Sequence, residues 1–111
     1  MNENELNAVE VSIETAKNSV RRMELVSKLS IDKGFNEIIG DGYFKEEAAR
    51  IASLLADPAM QGEVDQRELF SQVKAIGHLR QYLIQITRNG MIMQEGLDEN
   101  EELANELRAG V

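Results

Sequence analysis

A chain of 111 residues with a net charge of −8 has the length of one domain with a modest core. Its 42% apolar and 29% charged content excludes chain-wide disorder. The absence of cysteine excludes a disulfide framework and a thiolate zinc site, and the acidic balance excludes nucleic-acid binding through a general basic field.

The residue alphabet, rich in Glu, Ala, Leu, Arg, Lys, Gln and Met, favours helix. One proline, no tryptophan and 5% aromatics argue against a β-sandwich or barrel. No basic-then-apolar leader pattern and no apolar run long enough to span a bilayer are present. The expectation is a soluble intracellular protein that is not secreted by a signal of its own and does not enter a membrane.

The first segment, Glu3 to Leu29, is expected to form one long helix. Leu6, Val9, Ile13, Ala16, Val20 and Met23 recur at alternating spacings of three and four, an a/d seam. The stripe then moves to Val26 and Leu29. Glu14 precedes Lys17, and Glu24 precedes Lys28, at spacings that support ion pairs on a helix. So narrow a stripe calls for one or two partner helices, from the same chain or from a second copy in a homodimer.

Asp32 is a candidate cap for a short helix over Lys33–Ile39. Gly40-Asp41-Gly42 is expected to kink or briefly break the chain; the alternative is that the glycines sit within one bent helix where another backbone passes close. Helical patterning resumes with Phe44, Ala48, Ile51 and Leu55 on one face and Ala52 widening it. Glu46 and Arg50 form an outward pair, and Tyr43 stands at the edge of the core with a wet hydroxyl. Asp57-Pro58 ends that helix: the residue before a proline leaves the helical region, and proline fits the first position of the next turn. Pro58–Gln61 is a short helical connector.

A third long helix is expected over Glu63–Gln94, burying Phe70, Val73, Ile76, Leu79, Leu83 and Ile86. Gly77 is expected to allow a close helix crossing, and Asn89-Gly90 to end or bend the helix. Leu97, Leu103 and Leu107 would line a last, marginal helix. The fold class expected is all-α, an antiparallel helical bundle or long αα-hairpin. It would have three main helices and a short acidic C-terminal helix. Residues 1–97 form a single helical domain in this view, with 98–111 as an acidic helix or frayed tail.

No arrangement of residues supplies chemistry. His78 is the only histidine, and no cysteine is present to complete a zinc site. The glutamates at 46–47 and 99–102 match no calcium loop. Ser71 lies two helical turns from His78, too far for a catalytic hydrogen bond. Catalytic, cofactor-binding and metal-binding residues are therefore expected to be none. Arg80 and Tyr82, of types enriched at binding hot spots, join Tyr43 as candidate partner-binding residues.

The stretch from Gly42 through Arg50 to Ala56-Asp57-Pro58-Ala59-Met60-Gln61, with Ala75-Ile76-Gly77-His78-Leu79-Arg80-Gln81-Tyr82 and the Glu10–Lys17 opening, resembles a group of small, largely uncharacterised proteins of tailed bacteriophages. The resemblance implies a viral origin and an existence in the host cytoplasm or the virion, and it supplies no catalytic residue. The expected function is non-enzymatic: a virion or assembly accessory that binds a phage protein through helix faces. The alternative is a small inhibitor or modulator of a host protein, acting through the acidic surface of Asp98–Val111.

Overall fold

The computed structural model describes residues 2–110, and these residues are helical nearly throughout, with no strand among them. The elements are α1 (Asn2–Ser30), α2 (Lys33–Phe35), a π-helical segment (Asn36–Glu47), α3 (Ala48–Ala56), a 3₁₀ turn (Pro58–Met60) and α4 (Glu63–Ala109). They fall into two compact units. One joins residues up to Ser27 with those from Gln85 onward, and the other is Lys28–Ile84.

In the first unit α1 follows its seam. Ile13, Ala16 and Val20 are buried, and Leu6, Val9, Met23 and Val26 are half-buried on the same stripe. Leu29, expected to continue that stripe, is exposed. The covering element is the C-terminal half of α4. Gly90 lies against Met23, Glu101 pairs with Lys17 at 3.5 Å, and Arg108 pairs with Glu10 at 2.8 Å. Positions rise along α4 as they fall along α1, so the two segments run antiparallel. Ala104, 0% exposed, lies between the two ion pairs and opposite the turn that carries Ile13.

The seam is thus covered by a helix of the same chain, one of the two arrangements expected. Two other expectations are corrected. The acidic end is neither a separate helix nor a frayed tail, because residues 98–109 continue α4 without interruption. Lys17 is engaged by Glu101 instead of Glu14, since a carboxylate on the packed helix lies within its reach.

In the second unit the chain turns after Ser30. The Asn36 Nδ2 donates to the Ser30 carbonyl at 2.8 Å, satisfying one of the acceptors left free at a helix end. Asp32 caps the next helix as expected, its carboxylate accepting from the Phe35 N–H at 2.8 Å. Beyond this point Gly40-Asp41-Gly42 makes no break. The three residues lie inside a 12-residue π-helical stretch, and no residue there adopts a positive φ. Such stretches are rare and usually one turn long. A Cβ at position 42 would stand 3.0 Å from the Glu37 carbonyl oxygen five residues back. Glycine therefore serves close backbone approach in a widened helix, where the sequence pattern suggested a turn.

α3 brings Ile51 into a cluster with Leu69 and Ile76 of α4. Tyr43, Phe44, Leu54, Leu55 and Val73 pack around it. The α3–α4 connection is held by side-chain amides. Gln66 Nε2 donates to the carbonyls of Leu55 (3.1 Å) and Met60 (2.8 Å), and Gln61 Nε2 donates to those of Leu55 (2.9 Å) and Asp57 (2.7 Å). Asp57 caps the 3₁₀ turn by accepting from the Ala59 N–H at 2.9 Å, with Pro58 at the first position.

The inward row of α4 in this unit is Leu69 and Ile76, both buried, with Val73 half-buried between them, spaced by four and three. Phe70, expected in the core, is 52% exposed, because it projects about 100° from Leu69 around the helix. Ala52, expected to widen the face of α3, is exposed as well.

The glycines of α4 depart from their expected roles, and the helix runs unbroken through both. Gly90 is the close crossing. A Cβ there would overlap the Met23 Cβ and stand 2.9 Å from its Sδ. Gly77 is exposed, and a Cβ there would meet nothing within 4 Å. Gly77→Ala is therefore expected to raise stability by about 1 kcal/mol, the helix-propensity difference. Urea melts at concentrations low enough to keep the chain monomeric would show it.

Candidate functional site

Two open clefts in the Lys28–Ile84 unit share one side chain, Arg80. The first, of about 490 Å³, is lined by Asn36, Gly40, Asp41, Phe44, Lys45 and Arg80. The π-helical stretch supplies five of its six lining residues, Gly40 among them. Lys45 and Asp41, one turn apart on that wall, form an ion pair at 3.5 Å. The second, of about 670 Å³, is lined by Lys74, Gly77, His78, Arg80, Gln81 and Ile84. The positions 74, 77, 78 and 81 are one face of a helix, and Gly77 is its floor.

The three candidate partner-binding residues are distributed unequally. Arg80 is exposed and serves both clefts. Tyr43 is half-buried. It packs against the Ile51–Leu69–Ile76 cluster, with its ring 6.1 Å from that of Phe44 at an interplanar angle of 42°, so much of its surface supports the core. Tyr82 is exposed, but two residues along a helix turn the side chain about 200°, so it does not share a face with Arg80. Of the residues that line the clefts with Arg80, His78 was weighed only as a metal or catalytic group, and Gln81, Lys45 and Asn36 were not singled out as site residues. The spacing 74-77-78-81 was the available signal.

The carboxylates examined as metal ligands diverge in the structure. Glu101 turns to Lys17. Glu47 turns to Arg50, which donates to both carboxylate oxygens, Nε to Oε2 at 3.0 Å and Nη2 to Oε1. Arg50 was expected to pair with Glu46, but Glu47 takes it at the three-residue spacing. No group of three or more metal-ligating side chains occurs among the described residues. The Ser71 hydroxyl donates to the Arg67 carbonyl at 3.0 Å, and His78 is exposed.

The hydrogen bond from Arg50 holds the Glu47 carboxyl below its ordinary value; desolvation opposes this, and the Arg50 charge adds to the lowering. A folded-state value below the unfolded one adds stability at higher pH, and that stability is lost as pH falls through the folded value. NMR titration of the Glu47 carboxyl should show the low midpoint, and Arg50→Gln should move it back up toward the usual carboxylate range.

Arg80 is a surface residue, so Arg80→Ala should change folding stability by no more than about 0.5 kcal/mol. A urea melt checks this, and a loss of partner binding in that variant then reports on the surface itself. No helix is long and apolar enough to cross a membrane among the described residues. Comparison with family models, curated proteins and solved structures returns no match.

Proposed function

We propose that the chain is a non-enzymatic interaction protein, an antiparallel helical bundle that binds another protein through its helix faces. The observation that carries this reading is the apolar surface left on the helices of both units. Ile38 (66% exposed), Val64 and Phe70 stand out from one, and Met91 and Ile92 from the other. Scattered apolar side chains are ordinary on a surface, but large ones presented from regular helices are the anchors of helix-in-groove and helix-on-helix recognition. Arg80, between two open clefts, adds a charged group of the type that dominates such contacts.

The resemblance of Gly42–Gln61 and Ala75–Tyr82 to tailed-phage proteins points to a component of the phage particle or its assembly line as the partner. Mass spectrometry of virions and proheads from a phage encoding the chain is the test. Its presence in either particle is the expected result. Absence from both would overturn the assembly role and favour the host-protein alternative, in which removal of residues 98–111 should abolish capture of a host factor.

A further inference from the structure

In the unit that joins residues up to Ser27 with those from Gln85 onward, α1 and the C-terminal half of α4 leave a groove of about 330 Å³ along one side of their contact. α1 contributes Val11, Thr15 and Ala16 to its lining, and α4 contributes Ile92, Met93 and Gly96. Every residue that lines it is uncharged. Its apolar edges face solvent: Val11 is 66% exposed and Ile92 58%. A Cβ at Gly96 would meet nothing within 4 Å, so α1 leaves that turn of α4 uncovered. Thr15 and Lys17 flank Ala16 on opposite sides of α1. The groove is on the Thr15 side, and the ion pair to Glu101 is on the Lys17 side.

Beyond the α4 edge of this groove stand Glu95, Glu99, Glu102 and Glu106, all exposed. They follow one another at four, three and four residues, a single stripe about three turns long. Glu99 is nearest the groove, one turn from Gly96 and two from Ile92. None of the four has an ion-pair partner among the described residues. An acidic row is usually a solvated face, but this one is unfavourable at every step, since like charges three or four residues apart destabilise a helix. Opposite charge placed over the row would remove that cost. We propose that the groove takes an amphipathic helix of another protein, its apolar side between Val11 and Ile92 and a flank of Lys or Arg over Glu95, Glu99, Glu102 and Glu106. The α1 edge offers the exposed and uncharged Ala8, Val11 and Thr15, so one flank of the partner helix is basic and the other neutral. A second copy of this chain docked by the same face would bring the same four glutamates to the contact, and like charges across an interface are strongly disfavoured. The inference rests on the reading of the chain as a protein that binds through helix faces, and it specifies the face and the chemistry of the partner.

The probe is a fluorescein-labelled synthetic helix of about five turns, with leucines at three- and four-residue spacing and lysines along one flank. Its binding to the full chain is read by fluorescence anisotropy at low salt, and its position by amide shifts in NMR. The wild-type chain is expected to bind it, with shifts concentrated in residues 11–16 and 92–106. A Glu99→Lys, Glu102→Lys double variant should bind more than about tenfold more weakly. Gly96→Leu, which fills the groove from a position with open space, should keep the helical circular dichroism and weaken binding to a similar degree. Ile92→Ser, a neutral change at an exposed site, should weaken it too, and it serves if the leucine disturbs the fold. A probe that does not bind would overturn the proposal. So would a probe that binds the Gly96→Leu and Ile92→Ser chains as tightly as wild type, which is attraction by charge alone. Shifts in the same residues that grow with chain concentration and need no probe would also overturn it, because they place a second copy in the groove. Each of these failures leaves the virion and prohead test of the proposed function standing, since that test reads whether the chain is in the particle and not which face it uses.

Discussion

Ile51→Ala is expected to lower unfolding stability by about 2–5 kcal/mol, the range for emptying a buried aliphatic position. Whole domains are stable by only about 5–15 kcal/mol, so such a loss would leave the chain close to unfolding. Ile51 is 1% exposed and is the one large side chain among those described that is fully buried. It joins α3 to Leu69 and Ile76. Ile51→Val, which removes one methyl group, should cost about 0.5–1.5 kcal/mol. Phe70→Ala, although it deletes a larger side chain, should cost less than Ile51→Ala because Phe70 is half in solvent. Urea melts with unchanged slope would establish that the shifts are changes in stability.

Gly90→Ala is expected to have the opposite sign from Gly77→Ala. At both positions the new methyl group improves helix propensity by about 1 kcal/mol. At Gly90 it also overlaps the Met23 Cβ, an atom fixed to the backbone that no rotamer change can remove. The two helices must separate, and overpacking of this kind costs about 1–3 kcal/mol. Gly90→Leu should be worse. A double-mutant cycle with Met23→Ala should recover part of the loss, giving a coupling free energy that two independent sites would not show. The Gly77 and Gly90 variants together determine which glycine of α4 is the crossing.

Local signals in the sequence were informative wherever one residue type has one physical use. Asp32 and Asp57 cap the turns that follow them, Pro58 opens its turn, and the Ile13–Ala16–Val20 stripe is buried. The class of fold followed from composition. What was not legible depended on partners distant in sequence. Gly77 and Gly90 are both helix-interior glycines, and only the position of Met23 distinguishes them. Phe70 is more apolar in kind than its surroundings, yet Leu69 continues the row to Val73 and Ile76, and the row decides. Gly40 and Gly42 favoured a turn because glycine is the common turn former; the alternative, a continuous helix with close backbone approach, is what Gly42 adopts against the Glu37 carbonyl. At the candidate site, Arg80 was visible as a residue type. The clefts beside it were not, because Lys45 and Asn36 reach it only through the packing of the π-helical stretch.

The central claim is that the seam of α1 is covered by the C-terminal half of α4 of the same chain, with Gly90 against Met23 and Glu101 against Lys17. Nuclear Overhauser contacts between the Gly90 Hα protons and the Met23 side chain test it most directly. These contacts are predicted to be present, and to be undiminished when labelled chain is diluted into an excess of unlabelled chain. Their absence, or their loss on dilution, would contradict it.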